Sequence, residues 1–186
     1  FVEGTLAYLR GNETGAYAQI SRALAFFLES SRRLEGTSES ERYSISITQQ
    51  KYIRWLAQMS AITGHHARAR KHLQDLDASI AQTGAIRQQR AHLRAAQATY
   101  FGFIGDYPRA LAAMDDARRL APSHAQKSNQ LRLWYGTQRS LLQIGSNDWK
   151  GAAESLRDVE GQAALQVNGR IGPYVSLVSA TCAMIG

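Results

Sequence analysis

An all-α fold of repeated helix hairpins is the class this sequence predicts, and three observations predict it. Apolar residues recur at helical spacing in stretches that end at glycine, and the pattern repeats along the chain. Helix-start signals stand where those stretches open. No stretch alternates apolar and polar residues for long enough to make a strand. The chain's 186 residues amount to about one domain, and a 44% hydrophobic content supplies a core. Three prolines are too few for a loop-rich β chain, and one cysteine, Cys182, excludes a disulfide framework or a cysteine-based zinc site.

Helices are expected over 3–12, 14–35, 38–63, 65–83, 85–104, 107–121, 123–144, 148–160 and 172–185. Gly15-Ala16-Tyr17 is read as the first turn, followed by a stripe of Ile20, Leu24 and Phe27, with Gly36 as the stop. Ser38 and Glu41 have capping-box spacing and open a long helix that runs past Trp55 to Gly64. His65-His66 then lead into Ala69, Leu73 and Leu76, and Gly84 ends that helix. The clearest unit follows. Its first helix closes at Ile104-Gly105, Asp106 is an N-cap, and Pro108 sits in the first turn, where no donor is lost. Ala110, Met114 and Ala117 then form one stripe before Pro122, and small Ala98 and Ala110 allow close approach. Ser123 and Gln126 form a second capping box for a helix running to Ile144-Gly145. Ser146 and Asn147 are read as lengthening the turn before Asp148-Trp149, with Ala152, Leu156 and Val159 beyond.

These helices pair into hairpins at 3–35, 38–83, 85–121 and 123–160, with a terminal helix at 172–185, all in one domain spanning 1–186. The apolar run from Tyr174 to Ile185 is shorter than the ~20 residues that cross a bilayer. It reads as the opening helix of a further repeat, and the chain as a piece of a larger protein.

Gly105-Asp106-Tyr107, Ala98, Phe101, Ala110, Met114, Ala117 and Pro122, with Trp134, Ala152 and Leu156 in the next unit, resemble a tetratricopeptide repeat (TPR). The family period is ~34 residues. Here Tyr17 to His66 is 49, Gly64 to Gly105 is 41 and Tyr107 to Trp149 is 42, which resembles the extended-helix subclass. The resemblance implies a right-handed α-solenoid of antiparallel hairpins, whose first helices line a concave groove where partners bind.

Charge is the strongest compositional signal. Lys and Arg number 22 against 15 Asp and Glu, and 18 of the bases are arginine. Residues 51–150 hold 15 of the bases and 6 of the acids, so the excess lies in the middle of the chain. That balance suits an acidic partner, and it also suits a merely solvated surface. Nothing arranges catalysis: Asp75 with Asp77, and Asp115 with Asp116, diverge around their helices, and no nucleophile elbow or phosphate loop occurs. His66 and His72 are six residues apart, off the spacing of helical metal ligands, so His65 and His66 read as a turn and a packed ring. No metal and no cofactor are expected.

Through the glycine alignment, the TPR resemblance places Lys51, Arg54 and Gln58 in the groove, then His92, Ala95 and Thr99, then Arg132, Tyr135 and Arg139. Guanidinium groups there would bind carboxylates, with Tyr135 as a stacking face. The expected function is non-catalytic: a protein- or peptide-binding module with an acidic ligand, serving as a regulatory or sensory segment of a larger signalling protein of bacterial type. The alternatives are a nucleic-acid-binding helical repeat and a structural spacer or dimerisation segment. The lone cysteine suits a cytoplasmic location, with the periplasm as the other choice.

Overall fold

The computed structural model describes residue 7 and residues 11–32, 38–84, 86–121 and 129–163. The expected helix 172–185, the stops at Gly36 and Pro122, the capping box at Ser123 and nearly all of helix 3–12 lie outside them. Among the described residues there are seven α-helices and no strand. They are α1 (Glu13–Arg32), α2 (Glu39–Ile62), α3 (His66–Gln82), α4 (Arg87–Phe103), α5 (Tyr107–Leu120), α6 (Asn129–Gly145) and α7 (Trp149–Ala163). No helix among them is long and apolar enough to cross a membrane.

One turn geometry recurs four times. Gly64, Gly105 and Gly11 take φ of +76°, +78° and +75°, and Asn147 takes +65° at the equivalent point. The amide of the next residue reaches back five positions in each case: His65 to the Ser60 carbonyl at 2.8 Å, Asp106 to Phe101 at 2.9 Å, Asp148 to Gln143 at 2.8 Å and Asn12 to Ala7 at 2.9 Å. This is the Schellman closure, which satisfies carbonyls that a helix end leaves open. The following helix is capped at once. Asn12 accepts from the Gly15 amide at 2.8 Å, Asp106 from Arg109 at 3.3 Å and Asp148 from Gly151 at 2.9 Å. His65 alone caps nothing.

Two expectations are corrected by this recurrence. The glycine that answers to Gly105 is Gly11 and not Gly15: the first turn is Gly11-Asn12, and Gly15 and Tyr17 lie inside α1, within the helix expected over 14–35. The last turn is not longer than the others: Gly145 ends α6, and Asn147 takes the left-handed position held elsewhere by glycine. Asparagine tolerates that conformation better than other side chains. The capping box at Ser38 forms as read, with Glu41 accepting from the Ser38 amide at 2.7 Å.

Four residues after each cap stands a fully buried alanine: Ala16, Ala69, Ala110 and Ala152. A further turn on, Ile20, Leu73, Met114 and Leu156 are buried on the same stripe. Each helix packs on the next, and α2 also packs on α4. The apolar interior is accordingly strung out along the chain. One cluster joins α1 and α2 through Ile20, Leu56 and Met59, a second joins α2, α3 and α4 through Ile53, Leu73, Leu76 and Tyr100, and a third joins α4, α5 and α6 through Ala98, Met114 and Tyr135.

Candidate functional site

α4 is the helix on which the candidate surfaces meet. Its buried residues fall in two bands, Leu93, Ala96 and Tyr100 toward α2 and α3, and Ala95 and Ala98 toward α5 and α6. At about 100° per residue, two strips of α4 remain between those bands and face solvent, close to 180° apart. His92 and Thr99 lie on one strip, and Arg90, Arg94 and Gln97 on the other.

The first strip continues onto α2. Lys51 is exposed, and Arg54 and Gln58 are half-buried. Arg54 has no ion pair or hydrogen bond to another described residue, yet its guanidinium is desolvated, which lowers its pKa. Its charge reaches two of the other expected groove residues. His92 is pushed down to about 4, first by desolvation and then by Arg54. Tyr135 is raised by desolvation, with Arg54 opposing. His92 keeps contact with solvent while being desolvated, the combination expected on the wall of a concavity. Arg54 from α2, His92 from α4 and Tyr135 from α6 thus stand within electrostatic reach, and no carboxylate contributes to any of the three shifts.

Other expected members are placed differently. Thr99 is half-buried and spends its hydroxyl on the Ala95 carbonyl at 3.2 Å, and Ala95 is buried. Tyr135 is only 8% exposed, with its hydroxyl donating to the Ala117 carbonyl at 3.4 Å, so its ring packs against α5 and presents no open stacking face. Arg139 turns away: its Nε meets Asp115 Oδ1 at 3.0 Å and a terminal nitrogen donates to Ser155 at 3.0 Å. The Arg132 side chain lies outside the described residues. Aligning on Asn147 rather than Gly145 moves the positions equivalent to His92, Ala95 and Thr99 by two, to Trp134, Thr137 and Leu141. The sequence held a signal for this, since Ser140 precedes Ala152 by the same twelve residues that separate Ala98 from Ala110.

His66, His72, Asp75 and Asp116 have local neighbours. His66 stands edge-on to Tyr100 with ring centroids 6.4 Å apart, and His72 Nε2 is 3.1 Å from the Tyr17 hydroxyl. Asp75 pairs with Lys71 at 2.8 Å, and Asp116 with Arg119 at 2.7 Å. Among the described residues no three His, Cys, Asp or Glu side chains converge as metal ligands would.

Comparison of the chain with protein-family models, with curated proteins and with solved structures finds no match.

Proposed function

We propose that the chain is a TPR-like, right-handed solenoid of antiparallel hairpins. It acts without catalysis, by holding an acidic protein or peptide segment against the α2–α4 strip. Support for the solenoid comes from the recurring turns and from helices that pack on near neighbours in sequence, as stacked repeats do. One observation carries the binding reading. Among the described residues, Arg54 is a desolvated guanidinium with no carboxylate beside it, flanked by His92 and Lys51 on a strip to which they bring no acid. An unpaired charge in such surroundings is unfavourable, and a ligand carboxylate would supply the missing partner through a charge-assisted hydrogen bond.

Anisotropy of a fluorescein-labelled octaglutamate peptide tests this. Arg54→Glu should weaken binding about tenfold, since a close charge pair at an interface is worth about 1.5 kcal/mol or more. Circular dichroism should stay unchanged. Equal binding by the wild type and the variant would remove the reading.

A further inference from the structure

The second solvent strip of α4 forms the floor of a channel between α3 and α5. Two adjoining cavities of about 340 and 410 Å³ share Asp77 and Gln97 and run end to end along it. Leu73, Tyr100, Phe101 and Ile104 make one end of the channel apolar, and Ile104 is 40% exposed there. Five arginines stand around it, Arg70, Arg90, Arg94, Arg109 and Arg119, against two acids, Asp77 and Asp116.

The internal ion pairs leave cationic capacity over. Asp116 is shared by Arg119 at 2.7 Å and Arg94 at 3.8 Å, and Arg109 meets Asp106 at 3.4 Å. Arg70 reaches only the Tyr100 hydroxyl, at 3.3 Å. Arg90 is exposed, and its guanidinium has no ion pair or hydrogen bond among the described residues. From Ile104 to Arg90 the floor runs about 20 Å, the reach of an extended segment of about six residues. Ile80, Leu93 and Leu120 continue an apolar lining to the Arg90 end, and side chains of such a segment point alternately to opposite sides, so one set can meet this lining while the other meets the arginines.

We infer that this channel is a second docking surface, for an extended peptide in which carboxylates alternate with apolar side chains. Nucleic acid fits it less well. The apolar side chains at the Ile104 end give a phosphate backbone nothing to pair with, whereas an alternating peptide has apolar groups to set against them. The surface is independent of Arg54, which lies on the other side of α4.

The test uses a fluorescein-labelled octapeptide of alternating glutamate and leucine, read by anisotropy. Arg90→Glu with Arg94→Glu should weaken its binding about tenfold, and Arg54→Glu should change it less than about twofold. Ile104→Glu should weaken it comparably through the apolar end, with a net charge change of only one. Arg90→Glu alone disturbs no internal pair, so it decides the matter should the double variant fail to fold. Unchanged affinity in the channel variants would overturn the inference, as would a loss that follows Arg54 instead. So would displacement of the peptide by a dodecathymidylate strand at lower concentration than by unlabelled peptide, which would make nucleic acid the occupant. Channel variants that act while Arg54→Glu is silent toward octaglutamate would overturn only the α2–α4 reading.

Discussion

In the α4–α5 pair, Ala98, Phe101 and Ala113 belong to one apolar cluster. In the α6–α7 pair the residues at the same distances from the turn are Ser140, Gln143 and Ser155, and they form a hydrogen-bonded interior. Ser140 donates to the Ala152 carbonyl at 3.0 Å, Ser155 to Gln143 Oε1 at 2.7 Å, and Gln143 Nε2 to Asp148 at 3.2 Å. Gly105 in the first pair answers to Asn147 in the second. The two pairs therefore share a backbone device and differ in what fills it. What is held constant is the left-handed residue, the Asp cap and the buried alanine; the lining is free to change from apolar to polar provided each buried polar group finds a partner.

The largest effect should come from the shared alanine. Ala110→Leu and Ala152→Leu would each overpack a fully buried contact and cost about 3 kcal/mol in thermal unfolding. A neutral result in either pair would separate the two devices. Gln143→Ala should come next, at about 2 kcal/mol, because Ser155 and Asp148 lose a partner. Converting Ser140, Gln143 and Ser155 together to Ala, Phe and Ala, the α4–α5 lining, should recover part of that loss, since both partners of the Ser155–Gln143 bond go at once and an apolar ring fills the space, while Asp148 and Arg139 can turn to solvent. A triple variant as unstable as the single one would mean that the pairs differ in backbone after all.

Smaller effects sharpen the turn itself. Gly105→Ala should cost about 1 kcal/mol, all of it conformational, because a Cβ there meets nothing within 4 Å. Asn147→Gly should be stabilising by a few tenths of a kcal/mol or neutral. The last difference is in acid response. His92 and His72 are both held below the ordinary histidine value, chiefly by desolvation, so the folded chain resists protonating them. Their contribution to stability is present above the unfolded value of about 6.5 and is lost as pH falls toward about 4, where His92 titrates in the folded state. α6 and α7 contain no histidine. Hydrogen exchange at pH 5 should therefore accelerate in α2–α4 before α6–α7, and His92→Gln should reduce that difference.

Much of the fold was legible in the chain because its cues are local. Gly64, Gly105, Asp106 and the Ser38–Glu41 box act within one turn of helix, and each forms where the residues place it. The misplaced turns, at Gly15 and Gly145, were cases where a glycine lay near a stronger cue. Asn12 and Asp148 are Asx caps, and Asn147 can take a left-handed φ without being glycine. The two-residue error carried into the candidate site, where Tyr135 is packed away and Arg139 is paired with Asp115.

By itself, then, the sequence determined the helical class, the repeated turn with its buried alanine, and the basic middle of the chain, because backbone conformation and composition depend on residues close together. Only the tertiary structure decided which arginines keep a carboxylate and which face of α4 each occupies. Among the described residues, Arg54 goes without one on the α2–α4 strip, Arg139 meets Asp115 across a helix boundary, and the Arg90 guanidinium has no partner in the α3–α5 channel. Those outcomes turn on a few degrees of helix rotation and on partners up to tens of residues away, and a spacing rule along one helix contains neither.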